Sequence, residues 1–168
     1  DQNDVAIFSS TQVISIDRNN KSLDLSNEES LPYNRLVLAT GRRVRKLNVT
    51  GSHLNNISYL RTIEEANKLR EYFKFGKNLV IVGAGYIGLE VASTAIKKGL
   101  SVTVIEMADR VMNRTVDPII SKYFDSLHRS KGAEIILNAA LERFEGRKQV
   151  EKVICSNGKI LEADGVVV

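Results

Sequence analysis

"IVGAGYIGLE", Ile81 to Glu90, is the stretch on which the reading of this chain turns. An apolar run, Leu79–Val82, leads into it. Three glycines follow at G-x-G-x-x-G spacing, and an amphipathic stretch, Tyr86–Lys98, leaves it and ends at Gly99. Strand, glycine turn and helix in that order are how a chain grips the pyrophosphate of a dinucleotide. Gly83 permits the tight turn, Gly85 lets the backbone approach the phosphates, and Gly88 lets the helix pack closely. The free N–H groups at the helix start, with Tyr86 and Ile87 in its first turn, face the anion. A second strand, Val102–Glu106, carries an acid at its tip, about 20 residues after the first glycine, where a ribose-binding carboxylate is expected. A carboxylate there accepts from ribose hydroxyls and repels a 2′-phosphate, so NAD(H) is expected over NADP(H). Arg110 and Arg114 read either as a solvated loop or as cofactor contacts.

Working outward, the downstream pattern alternates strand and helix. Asp117-Pro118 opens a helix, with Ile119, Ile120, Tyr123, Phe124 and Leu127 as its expected buried stripe and Gly132 as its stop. Glu134–Leu137 reads as a third parallel strand. Three antiparallel candidates follow around 140–146, 149–155 and 159–162, and Val166–Val168 starts a last parallel strand. The expected fold class is α/β: a Rossmann-like parallel sheet with an inserted antiparallel meander. A second antiparallel meander precedes it. "VAIFSS", "TQVISIDR" and "KSLDLS" read as short strands, and Leu36–Ala39 in "YNRLVLATG" as a strand apolar on both faces. Thr62 and Glu65 form a T-x-x-E capping box. Ile63, Ala66, Leu69, Tyr72 and Phe73 follow at helical spacing and Gly76 closes the helix. The domain boundary is expected there, dividing 1–76 from 77–168.

Composition narrows the class. The chain has 168 residues, 43% hydrophobic and 26% charged, with a net charge of +4. No apolar run approaches the roughly 20 residues that span a bilayer. No Lys/Arg block interleaves with aromatics, which argues against nucleic acid, while an acidic protein partner stays open. The single Cys155 permits no internal disulfide. It reads as a buried small hydrophobe and fits a reducing, cytoplasmic setting. His53 and His128 read as surface residues, and with no clustered Cys no metal site is expected. The chain starts at Asp1 without Met and stops in the apolar "ADGVVV", so it reads as an internal fragment.

"LVLATGRRVRKL", "YLRTIEEANKLR", "VGAGYIGLEVASTAIKKGLSVTVIE" and "LHRSKGAEI" resemble the FAD-dependent, NADH-using ferredoxin reductases. That group includes the rubredoxin, putidaredoxin and rhodocoxin reductases, within the pyridine nucleotide-disulfide oxidoreductase superfamily. The resemblance implies an NAD domain inserted into an FAD domain, so residues 1–76 would be the distal part of the FAD domain and 77–168 a truncated NAD(H) domain. The first glycine turn would precede Asp1. The reaction implied for the parent is electron transfer from NADH through FAD to an iron–sulfur ferredoxin or a rubredoxin, with the isolated fragment inactive. By position, Val13, Thr40, Gly41 and Arg61 would lie near FAD. Gly83, Gly85, Tyr86, Ile87, Gly88, Glu106 and Arg114 would hold NAD. Tyr86 and Glu90 would sit at the nicotinamide–flavin junction. On the residues alone, Val13 reads as strand core, Thr40-Gly41 as a strand exit, Arg61 as a helix flank, Tyr86 as packing and Glu90 as a dipole partner. An NADH oxidase, a nitrite reductase, an apoptosis-inducing-factor-like flavoprotein and a nucleotide-binding module without turnover remain alternatives.

Overall fold

The computed structural model describes residues 5–73 and 77–168. Gly76, expected to stop a helix, lies outside them. The chain divides into two compact units between Arg42 and Arg43.

In the first unit, β1 (Val13–Asp17), β2 (Ser22–Leu25) and β3 (Ser30–Pro32) form an antiparallel sheet in that order. The turn after β1 is set by Asp17, whose carboxylate accepts from the Asn19 and Asn20 amides at 2.9 and 3.0 Å. Those bonds, that of Asn20 first, hold Asp17 below the usual carboxylate range. Leu23 and Leu25 are buried. Two expectations fail here. "VAIFSS" and Leu36–Ala39 form no strand, and Val37 is 82% exposed. An apolar segment becomes a strand only where a neighbour takes up its N–H and C=O groups, and the β1-β2-β3 sheet does not extend to either segment.

The second unit is built on a five-stranded parallel sheet. Its strands are β4 (Ile57–Ser58), β5 (Asn78–Val82), β6 (Ser101–Ile105), β7 (Ala133–Ile136) and β11 (Gly165–Val167), in the order β4-β11-β5-β6-β7. Helices α1 (Ile63–Tyr72), α2 (Tyr86–Lys97) and α3 (Pro118–Ser130) connect them. Between β7 and β11 the chain makes the expected meander, β8 (Leu141–Glu145), β9 (Lys152–Cys155) and β10 (Ile160–Glu162). The alternation of side chains along the strands divides the core. Leu79, Ile81, Val102, Val104 and Val167 pack with Leu89, Ala92 and Ala95 of α2. Val80, Ile105, Ile136 and Val166 pack with Phe144, Val153 and Cys155 of the meander. Both faces are covered, which is why the strands read as continuous apolar runs.

The unit boundary falls earlier than the expected 76/77. Val166 and Val167 pair with Ile57 and Ser58 of β4, and Leu69 of α1 is 5% exposed in the core with Leu79 and Val167. Residues 43–73 therefore belong with the parallel sheet. The capping box of α1 forms as read, Glu65 N–H to Thr62 Oγ1 at 3.3 Å and Thr62 N–H to Glu65 Oε2 at 2.9 Å. Its apolar face is narrower than expected, because Ile63 and Ala66 are exposed. The stripe expected on α3 is also displaced. Ile119, Ile120 and Tyr123 are exposed at 77, 44 and 62%. The inward positions are Ser121, Phe124, Asp125 and His128, with Leu127 half-buried beside them.

Candidate functional site

The turn after β5 is held by its neighbours rather than by its own side chains. Gly83 has φ +105°, a left-handed value that a side chain disfavours, and its N–H donates to Ile105 O at 2.8 Å. Ala84 is fully buried. Its N–H donates to Glu106 Oε2 at 2.8 Å, and its carbonyl accepts from the Met112 N–H at 2.8 Å. Gly85 is the N-cap of α2 and supplies no side-chain cap. The first amides of the helix have no partner inside it and stand where an anion would be received. The glycines differ in what they serve. A Cβ on Gly88 would run into the Gly83 carbonyl oxygen and meet Ile81 Cγ2 at 3.3 Å. A Cβ on Gly85 would meet nothing within 4 Å. Gly88 thus closes the turn against the helix, while Gly85 faces open space.

That space is a cleft of about 450 Å³ bordered by Gly85, Glu106, Met107, Asn113 and Arg114. Glu106 spans its floor, Oε2 on the Ala84 amide and Oε1 on the Ala108 amide at 2.9 Å. Each oxygen keeps a lone pair for a further donor. The two arginines separate. Arg110 donates Nη1 to Val116 O and Nη2 to Asn113 O, both at 2.9 Å, and so staples its own loop. Arg114 is exposed on the cleft wall. The loop is fixed from behind by Ser121, whose buried hydroxyl donates to Val111 O at 2.6 Å.

A second crevice, about 390 Å³, lies at the carboxyl ends of β5 and β11, beside Gly83, Tyr86, Ile87 and Val168. Strand order reverses between β5 and β11, and ligands of open α/β sheets bind at such a switch point. Tyr86, 53% exposed, stands at its mouth. Tyr86 also borders a groove of about 520 Å³ between α2 and α3, together with Glu90 one helical turn on. Sequence reading missed His128 in that groove. The histidine is half-buried, with Nδ1 2.8 Å from Phe124 O and Nε2 3.2 Å from Leu89 O, and it ties α3 to α2. Its register with Ser121, Phe124 and Asp125 was the available signal. His53 is exposed as expected.

The positions expected near FAD fall in both units. Val13 begins β1 in the first unit and is 44% exposed, so it is not core. Thr40 and Gly41 lie in the same unit, exposed and outside any strand, Gly41 at φ +70°. Arg61 belongs to the second unit, where its backbone N–H donates to Glu65 Oε2 at 2.8 Å. Cys155 is buried in β9, and burial pushes its thiol up. Among the described residues no three His, Cys, Asp or Glu group as metal ligands, and no helix is long and apolar enough to cross a membrane.

A parallel sheet with a glycine turn at its switch point and a carboxylate closing the next strand defines a dinucleotide-binding fold. Residues 1–168 match the pyridine nucleotide-disulphide oxidoreductases, and the chain belongs to that family. It is 40% identical over 169 residues to putidaredoxin reductase CamA of Pseudomonas putida, a match covering 97% of this chain and 40% of the relative. It is 38% identical over 167 residues to a rubredoxin-NAD(+) reductase of the same species, covering 99% and 43%. The solved ferredoxin reductase for the CYP199A2 system of Rhodopseudomonas palustris superposes with a TM-score of 0.83 at 41% identity, covering 95% and 40%. The chain thus spans about two-fifths of the length of the curated relatives it matches.

Proposed function

We propose that this chain is the nucleotide-binding part of a flavoprotein reductase that passes electrons from NADH through FAD to a ferredoxin or rubredoxin. The observation that carries the reading is the open side of Gly85 over a cleft floored by Glu106. The names of the relatives support the acceptor class. Residues 43–168 would form the NAD(H) unit. The first amides of α2 would receive the pyrophosphate, Glu106 the adenosine ribose hydroxyls, and the crevice beside Tyr86 the nicotinamide. Arg114 would meet the adenosine side from the cleft wall. FAD, when bound, supplies the redox chemistry, taking a hydride and releasing single electrons. The chain's own residues orient the nucleotide and set its charge environment. Val13, Thr40, Gly41 and Arg61 would flank the flavin nucleotide, and Glu90 would lie near the junction. We place the parent in the cytoplasm, where an unpaired thiol such as Cys155 stays reduced. Anaerobic mixing of the full-length parent with NADH tests the reading. The flavin absorbance should bleach, and NADPH at equal concentration should bleach it at least about tenfold more slowly. A parent purified without flavin, or a flavin that NADH leaves oxidised, would overturn it.

A further inference from the structure

Glu106 makes two hydrogen bonds to backbone. Oε2 accepts from Ala84 N–H, inside the glycine turn, and Oε1 from Ala108 N–H, in the loop after β6. The Ala84 carbonyl accepts from Met112 N–H in that same loop. The peptide groups on both sides of the buried Ala84 are therefore clamped to the 106–112 segment, and with them the orientation of the Gly85 peptide that follows. Arg110 and the Ser121 hydroxyl hold the rest of the loop in place. A hydrogen bond to an ionised acceptor is about twice as strong as a neutral one. It is strong enough to fix a turn whose glycines would otherwise leave the backbone free.

We propose that Glu106 is a positioning residue for the phosphate turn, and that this role is separable from its contact with the ribose. The carboxylate sets the direction of the Ala84–Gly85 peptides, and so the aim of the helix-start amides, in the free protein. The proposal rests on the nucleotide reading of the site. It has a consequence for specificity: a substitution that removes the acid to admit a 2′-phosphate also releases the turn that holds the pyrophosphate. Cofactor choice and phosphate affinity are coupled through one side chain.

The test separates the two roles with ligands. ADP and 2′,3′-dideoxy-ADP, which lacks the ribose hydroxyls, are titrated calorimetrically against the 168-residue chain and its Glu106→Ala and Glu106→Gln variants. Acting on the ribose alone, Glu106 would leave dideoxy-ADP binding unchanged on truncation, or tighter, because a negative charge near the phosphates has gone. Acting also on the turn, its loss weakens dideoxy-ADP by about tenfold, the effect of one charge-assisted hydrogen bond. Glutamine keeps a carbonyl oxygen for Ala84 N–H and should restore most of that loss. Amide hydrogen exchange of the ligand-free chains gives a second readout. Ala84 and Ala108 should exchange faster in Glu106→Ala, with the mid-helix amides of α2 unchanged. If wild type binds neither nucleotide, the nucleotide reading falls on its own. Unchanged exchange at Ala84, or undiminished dideoxy-ADP binding in Glu106→Ala, would overturn the positioning role.

Discussion

Substituting the second and third glycines of the turn separates ligand binding from folding. At Gly85 the backbone has φ −81°, a value any residue adopts, and an added Cβ meets no atom within 4 Å. Gly85→Val should therefore fold, at a cost of about 1 kcal/mol or less for exchanging an N-cap residue. Its side chain would fill the space the pyrophosphate crosses, and NADH affinity should fall about a hundredfold, or roughly 3 kcal/mol. At Gly88 the smallest possible change, Gly88→Ala, drives a methyl group into the Gly83 carbonyl and against Ile81 Cγ2. The nearest obstacle is backbone, not a side chain that can swing away, so α2 must lift from the turn. Overpacking of this kind costs about 2–4 kcal/mol. For a domain of this size that is a drop of about 10 °C in Tm. Circular dichroism melts and fluorescence titration with NADH read the two effects independently. A wild-type Tm for Gly88→Ala would refute the account of the helix–turn contact. Wild-type NADH affinity for Gly85→Val would refute the path assigned to the pyrophosphate.

Three further outcomes follow from other contacts. Gly165→Ala should destabilise by about 1–3 kcal/mol, because its methyl meets the Tyr72 ring at 2.5–2.8 Å; a melt unchanged from wild type would show that the ring moves aside. Burial, with the charge of Asp164 second, raises the Tyr72 phenol above its ordinary value. Its contribution to stability is therefore complete below about pH 10 and is lost as pH rises further, and denaturant melts from pH 8 upward should show a decline that Tyr72→Phe reduces. Glu106→Arg should narrow the preference for NADH over NADPH by about tenfold or more, with NADH itself bound more weakly; an undiminished preference in paired titrations would exclude Glu106 as the discriminating group.

What could be read in advance was what depends on neighbours in the chain. The Thr62–Glu65 box, the Asp117-Pro118 helix start and the glycine turn each need only a few consecutive residues, and each forms as read. The buried face of α3 was misplaced because apolar periodicity reports a stripe, not what it meets. Here Ser121 and His128 face inward, since Val111 O and Leu89 O lie opposite, and Ile119, Ile120 and Tyr123 face out. Strand β4 is two residues long and exists because β11 pairs with it, so no local signal marks it. Leu36–Ala39 shows the converse, a strand-like run that the sheet of its unit does not take up. In the site, the glycines and Glu106 were legible from spacing. The backbone bonds of Glu106 and the stapling role of Arg110 were not, because both depend on loop geometry.

The central claim is that the cleft between Gly85 and Glu106 selects NADH. Fluorescence titration of the 168-residue chain with NADH and NADPH side by side tests it most directly. The account predicts saturable binding of NADH and an affinity for NADPH lower by about ten- to a hundredfold, the effect of setting a phosphate against an ionised carboxylate. Equal affinities, or no saturable binding of NADH, would contradict it.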